Sequence, residues 1–234
     1  TMAKYAILSD IHSNLEALTV VLATCRELEI DHYLCLGDIV GYGAQPVECM
    51  HLTRELPLMA IVKGNHDEYA SRFDDELSGF NPHAKEAIVW TRDRLSEEER
   101  NWLRQIPFRL TVPGTGMTLV HATLDSPDTW GYVFDMHHAV DNFSYQFTQL
   151  CFCGHSHVPV AFAKKPISSM SESAVDVLTE WTPKYTAREI EGGCFLQTEM
   201  FPVEIKAGYK YLFNIGSIGQ PRNRDPRASF AVYD

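Results

Sequence analysis

The chain contains no run of about 20 apolar residues, the length that crosses a bilayer as a helix. Its N-terminus reads as a strand rather than a secretory leader, and Thr1 ahead of Met2 reads as a cloning scar. Cations are scarce: 20 Lys and Arg stand against 31 Asp and Glu, for a net charge of −11. A broad nucleic-acid surface needs clustered Lys and Arg along the backbone, so this balance argues against one. Cysteine is also sparse, with six residues at 25, 35, 49, 151, 153 and 194 in no secreted-domain spacing. Most lie inside apolar runs, so Cys151 and Cys153 read as core residues on one face of a strand, and a reducing cytoplasm fits. What is present is 234 residues at 45% hydrophobic, enough for one well-filled core. A single domain over 1–234 is expected, with 164–188 a less regular insertion or loop.

Five short apolar runs each end in a residue able to bind a metal. Residues 5–9 precede Asp10-Ile11-His12, 33–36 precede Gly37-Asp38, and 59–62 precede Lys63-Gly64-Asn65-His66-Asp67. Residues 117–120 precede His121, and 150–153 precede Gly154-His155-Ser156-His157. The runs have the length and composition of buried strands. Ligands carried on an open α/β sheet gather at the carboxyl ends of its strands, so five such ends can converge. Together they bring Asp10, Asp38, Asn65, His12, His121, His155 and His157, seven oxygen and nitrogen donors without a thiolate. That is too many for one tetrahedral zinc and suits two ions sharing a carboxylate. Mixed imidazole and carboxylate ligation selects Mn or Fe, with Zn as a further option, over calcium or a lone magnesium. Half of the ten histidines fall in these five blocks, a concentration that N-caps, turns and surface residues do not explain together.

The ordered series D-x-H, G-D, G-N-H-D, isolated His and G-H-x-H resembles the signature of the calcineurin-like metallophosphoesterases. Gly37 through Gly43 (G-D-I-V-G-Y-G) and Gly216 through Arg222 (G-S-I-G-Q-P-R) resemble more closely small bacterial phosphoesterases of the phosphodiesterase and diadenosine tetraphosphatase-like group. The resemblance implies a four-layer αββα sandwich of two mixed β-sheets flanked by helices. It implies that Asp10, His12, Asp38 and His157 hold one divalent ion and Asp38, Asn65, His121 and His155 the other, with Asp38 bridging. A hydroxide between the ions would attack phosphorus in line. His66 would assist the leaving group and Asp67 would hold the tautomer and orientation of His66. Two ions also leave the site locally cationic in an acidic chain. Relatives usually continue beyond residue 234, so the C-terminal edge reads as short.

Between the blocks, Ser13 and Glu16 form a capping-box pattern before helically spaced Leu15, Leu18, Val21, Leu22, Cys25 and Leu28. Pro46 opens a short helix ending near Leu56. Asn81-Pro82 caps a helix to about Leu95, and Ser96 with Glu99 opens the next. Residues 109–112 and 117–121 flank Pro113-Gly114-Thr115-Gly116 as a hairpin delivering His121. A helix over 137–150 is expected to present Val140, Phe143, Phe147 and Leu150. Alternation at 203–206 and 209–213 around Gly208 predicts an antiparallel hairpin, and 229–233 a last strand.

Three stretches offer substrate contacts. Trp130, Tyr132 and Phe134 alternate after His121, where rings stack on a nucleobase or phenyl group or else fill core. Arg222, Arg224 and Arg227 follow the Gly-rich 214–221 segment, where a guanidinium can clamp phosphate oxygens bidentately; the competing reading pairs Asp225 with one arginine in a solvated turn. Arg222, Trp130 and Tyr132 form the expected substrate-binding set. Arg72 and Phe73 read equally as cleft lining or as a solvated loop. The expected activity is hydrolysis of a small phosphate ester or anhydride, a phosphodiester or dinucleoside polyphosphate first. The alternatives are a Ser/Thr-type protein phosphatase or phosphomonoesterase, weakened by the missing D-R-G after Asp38, and a non-catalytic scaffold, which would have lost ligands.

Overall fold

The computed structural model describes residues 3–73, 77–166, 178–182 and 200–234. The elements run β1 (Tyr5–Leu8), α1 (Leu15–Glu27), β2 (His32–Cys35), α2 (Pro46–Glu55), β3 (Leu58–Ile61) and α3 (Asn65–Ala70). They continue through α4 (Pro82–Arg92), α5 (Glu97–Gln105), β4 (Arg109–Val112), β5 (Met117–Val120) and α6 (Met136–Ser144). The last are β6 (Leu150–Cys153), β7 (Val160–Lys164), β8 (Leu178–Trp181), β9 (Lys210–Asn214) and β10 (Ala231–Tyr233). Two mixed sheets result, ordered β10-β1-β2-β3 and β4-β5-β6-β9-β7-β8. Strands β1, β2 and β3 are mutually parallel, as are β5, β6 and β9. No helix among the described residues is long and apolar enough to cross a membrane.

Alternation along each strand builds three core layers. In β1 and β2, Ala6, Leu8, Tyr33 and Cys35 face α1 and α2, packing with Leu18, Leu22, Cys49 and Met50. Ile7 and Leu34 point the other way, into the space between the sheets, where they meet Met117, Leu119, Leu150, Phe152 and Tyr211. The opposite face of the second sheet sends Val120, Cys151, Cys153, Phe162 and Leu212 against Ala139 and Phe143 of α6. Both faces of the central strands are therefore dry, which is why their sequences read as continuous apolar runs. Burial pushes the Cys151 thiol up to about 12 and that of Cys153 well above its ordinary value, as expected of inert core thiols.

Several local expectations are corrected. Asn14, not Ser13, caps α1, its side chain accepting from the Ala17 N–H at 3.0 Å. Ser13 is instead buried at φ 56° in the loop carrying Asp10 and His12. Helix α6 stops at Ser144: Gln146 turns inward and donates to the carbonyls of Thr148, Gln149 and Tyr211, leaving Phe147 84% exposed and Leu150 in β6. Residues 203–206 form no strand. Instead β9 pairs with β6 in parallel and β7 antiparallel, while the Tyr211 hydroxyl tethers the 203–206 stretch by accepting from Lys206 N–H and donating to Glu204 O. The six residues after Gly64 form α3, a helix the sequence reading does not include. Within 164–188, β8 pairs with β7; the remainder beyond residue 166, apart from 178–182, lies outside the described residues, as does Cys194.

The helix that follows the α4 turn depends on its cap. Ser96 Oγ accepts from Glu99 N–H at 3.3 Å and the Glu99 carboxylate accepts from Ser96 N–H at 2.6 Å, setting Leu103 and Ile106 into the core beside α1 and α2. Ser96→Ala should cost about 1 kcal/mol and lower the thermal midpoint by about 2–4 °C, read by circular dichroism; an unchanged midpoint would show that Glu99 holds the turn alone.

Candidate metal centre

Each parallel strand releases its chain into a tight loop, and the loops lock to one another by backbone hydrogen bonds. Asp10 N–H donates to Gly37 O, His12 N–H to Asp38 O and Gly154 N–H to His121 O, all at 2.9–3.0 Å. Asp10, His12, Asp38, His155 and His157 all have φ between 49° and 66°. Left-handed backbone is uncommon for non-glycine residues and clusters where surrounding structure over-determines it. The turns aim the side chains inward: Asp10, His12, Asp38, Asn65, His121, His155 and His157 are all at most 8% exposed. Gly64 is required for this approach, since a Cβ there would lie 2.1 Å from Asp38 Oδ1.

Hydrogen bonds from the rear of each ring decide which nitrogen faces the centre. The Nδ1 atoms of His12, His121 and His157 stand 3.2, 2.8 and 2.5 Å from the carbonyls of Val40, Leu36 and Gln220. A carbonyl only accepts, so Nδ1 carries a proton in each ring and Nε2 is the atom turned toward the centre. His155 is turned the other way, donating from Nε2 to Trp130 O at 3.0 Å and leaving Nδ1 as the donor atom. Second partners of this kind fix tautomer and orientation in metal-binding histidines.

The donor atoms fall into groups whose members lie within 4.8 Å of each other: Asp10 with His12 and His157, Asp38 with His121 and His155, and His12 with Asp38 and His66. Asp10 Oδ1 is 3.1 Å from His157 Nε2 and 3.7 Å from His12 Nε2. Asp38 Oδ2 is 3.3 Å from His121 Nε2 and 3.6 Å from His12 Nε2. Asp10 Oδ1, Asn65 Oδ1 and His121 Nε2 are buried without a hydrogen-bond partner among the described residues. Each such atom costs about 1–3 kcal/mol, so three in one pocket are the signature of a ligand site. The pocket also draws positive charge. Burial alone disfavours the His121 imidazolium, yet Asp38 and Asp10 outweigh it and push that group up to about 9. Oxygen and nitrogen donors gathered in this way fit divalent metal ions.

His66 sits in the same pocket, 3% exposed, and burial pushes its imidazolium down to about 3, so the ring is neutral. Its expected partner is corrected. Both Asp67 oxygens are taken by backbone: Oδ2 accepts from Asp38 and Gly64 N–H, and Oδ1 from Ile39 and Val40 N–H, at 2.7–3.2 Å. As the third residue of α3, Asp67 folds back over the helix start, as an N3 carboxylate does, and so anchors the Asp38 loop rather than His66. His66 Nδ1 has no hydrogen-bond partner among the described residues.

Around the centre, the Tyr132 ring stacks on His155 at 4.3 Å and Phe134 stacks on Tyr132 at 5.0 Å. Trp130 meets His121 edge-on at 6.1 Å. Burial raises the Tyr132 phenol, and the Arg222 guanidinium opposes that shift. Arg222 is exposed, bound to Gln220 Oε1 at 2.7 Å and 5.9 Å from the Tyr42 ring. Arg227 pairs with Asp225, the competing reading for this stretch, and Arg224 is exposed. Arg72 and Phe73 lie apart, in a pocket of about 550 Å³ whose lining includes none of the seven donors. His137 and His138 are surface residues. Three contributors were missed: Asn214, donating to Gly154 O and Ser156 Oγ; Ser217, donating to Asp10 O; and Tyr42, against His66. The last could have been noticed from its place between two glycines just after Asp38.

A sequence profile described as the calcineurin-like phosphoesterase superfamily domain matches residues 3–175. An uncharacterized protein of Methanocaldococcus jannaschii is 36% identical over 231 residues, covering 98% of this chain and 82% of that one. The crystal structure of a metallophosphoesterase from Sphaerobacter thermophilus superposes with a TM-score of 0.76 at 33% identity, over 100% of this chain and 84% of the other. A symmetrical bis(5'-nucleosyl)-tetraphosphatase of Actinobacillus pleuropneumoniae is 30% identical over 130 residues, 54% of this chain and 47% of its own length. The match thus spans about half of that relative. With the profile covering most of the chain and two sheets folded as in the Sphaerobacter enzyme, this protein belongs to the calcineurin-like phosphoesterase superfamily and is a phosphoester hydrolase.

Proposed function

We propose that the protein is a dinuclear metal-dependent hydrolase of phosphodiesters or dinucleoside polyphosphates. The observation that carries this reading is Asp38 Oδ2, within 3.6 Å of His12 Nε2 on one side and 3.3 Å of His121 Nε2 on the other. Asp10, His12 and His157 then complete one site, and Asn65, His121 and His155 the other. Divalent ions held there supply Lewis acidity toward phosphate oxygens and a water ionised near neutral pH.

The chain's own residues do the rest. Backbone N–H groups on the Asp67 carboxylate hold the Asp38 loop in register. A neutral His66 ring carries one N–H, which it offers to the leaving oxygen as charge develops there. Tyr132 and Trp130 form an aromatic wall suited to a base or aryl group. The Arg222 guanidinium suits a second phosphate, and the partial likeness to a dinucleoside tetraphosphatase supports that choice. Turnover by manganese-loaded protein of an aryl monoester, a bis-aryl diester and diadenosine polyphosphates tests the class; preference for the monoester would overturn it.

Metal analysis should find close to two transition-metal ions per chain, and Asp38→Asn should weaken both because the carboxylate is shared. A single tetrahedral zinc, indifferent to that change, would refute the dinuclear reading. His66→Asn should leave metal content intact and lower kcat by roughly 10²- to 10⁴-fold on alkyl leaving groups, with a smaller loss for nitrophenolate, which departs without a proton. Arg222→Lys should raise KM for a polyphosphate more than for an aryl diester; an unchanged KM for the polyphosphate would remove the clamp.

A further inference from the structure

The loss of Asp67 as a partner leaves a question of position. A ring that works on a leaving oxygen must be held to within a fraction of an ångström, yet His66 Nδ1 is buried without a hydrogen bond among the described residues. What surrounds the ring is a cage of contacts. Tyr42 lies at 4.5 Å between centroids and 41° between planes, His12 edge-on at 4.8 Å and Phe80 edge-on at 5.8 Å. Backbone closes the cage. At Gly41, φ is 90° and a Cβ would fall 2.2 Å from His66 Nδ1 and 2.8 Å from its Cγ, so only glycine lets the main chain pass against the ring.

We infer that Tyr42 is the positioning residue for His66, doing by aromatic contact what the expected Asp67 hydrogen bond does not. The inference rests on the leaving-group role proposed above for His66. Tyr42 is the nearest ring, and its own backbone is constrained: φ is 58°, and Gly43 N–H donates to His12 O at 3.0 Å. The same ring meets His12 at 4.9 Å and has the Arg222 guanidinium 5.9 Å from its centroid. Tyr42 thus joins the ring at the leaving oxygen to the rim that receives the rest of the substrate. The contact it makes with His66 is ring against ring, tilted by 41°.

The test compares Tyr42→Phe and Tyr42→Leu in metal-loaded protein, with His66→Asn and the double variant. Tyr42→Leu should lower kcat about 10- to 100-fold on an alkyl leaving group with KM within about twofold, and less on nitrophenolate; Tyr42→Phe should restore activity to within about twofold. Combined with His66→Asn, Tyr42→Leu should cost nothing further, because the residue it positions is gone. The histidine ring C–H signal that disappears in His66→Asn supplies a readout independent of turnover: it should shift and broaden in Tyr42→Leu and stay in place in Tyr42→Phe. Additive kinetic losses, or a sharp His66 signal in Tyr42→Leu, would overturn the inference. Should Tyr42→Leu not fold, Tyr42→Met, closer in volume, carries the same comparison. If His66→Asn leaves kcat unchanged on alkyl leaving groups, the leaving-group role fails, while the ring signal still decides whether Tyr42 holds His66.

Discussion

Two carboxylates, Asp10 and Asp38, are withdrawn from water into one pocket, and the site is arranged around the cost of doing so. Each buried ion loses several kcal/mol of hydration that only close opposite charge or hydrogen bonds return. The protein supplies part of that return. Asp10 Oδ2 accepts from Ser9 Oγ and His155 N–H, and Asp38 Oδ1 accepts from His66 N–H. The remaining oxygens, Asp10 Oδ1 and Asp38 Oδ2, face the Nε2 atoms of His157, His121 and His12, whose opposite ring nitrogens are tied to the carbonyls of Gln220, Leu36 and Val40. Half of each carboxylate is secured and half is left facing the centre, an arrangement that favours a cation there.

Holding those groups demands backbone that ordinary loops do not adopt. Five of the seven donors lie at positive φ, each at a cost of order 1–3 kcal/mol unless the surroundings compensate. Compensation comes from loop-to-loop hydrogen bonds and from the segment after β9: Ile218 and Gly219 donate to Ser9 O and Asp10 O, and Arg222 N–H to His157 O. The Gly-rich 214–221 segment therefore approaches the site's backbone and braces it. Sheet topology makes this possible, because parallel strands release all their carboxyl ends at one edge.

Local signals failed where a tertiary partner outbid them. Ser13 lost the cap of α1 because its backbone was needed in the Asp10 loop, where its N–H reaches Ile39 O. The alternating residues at 203–206 carry a strand pattern, but β9 found its partners in β6 and β7, and Tyr211 took the free backbone groups instead. The helical spacing runs through Phe147, yet Gln146 ends the helix by donating to two carbonyls just ahead of β6 and to Tyr211 O in β9. In each case hydrogen bonds set by the folded chain outweighed a propensity of a few tenths of a kcal/mol.

The family, the alternation of buried strands, the caps of α4 and α5, and the residue types that gather at the centre are all legible along the chain. Those are properties of composition, order and spacing, and they survive without knowledge of what touches what. Which atom of each residue faces inward is fixed by the fold, since ring orientation depends on carbonyls such as Leu36 O and Gln220 O that lie far away in the chain. The fold alone also moved Asp67 from His66 to four backbone N–H groups and brought Tyr42 against the ring that Asp67 leaves unheld. A motif records the order of donors along the chain. Hydrogen-bond partners are chosen by distance in space, and that distance is set by the folded sheets.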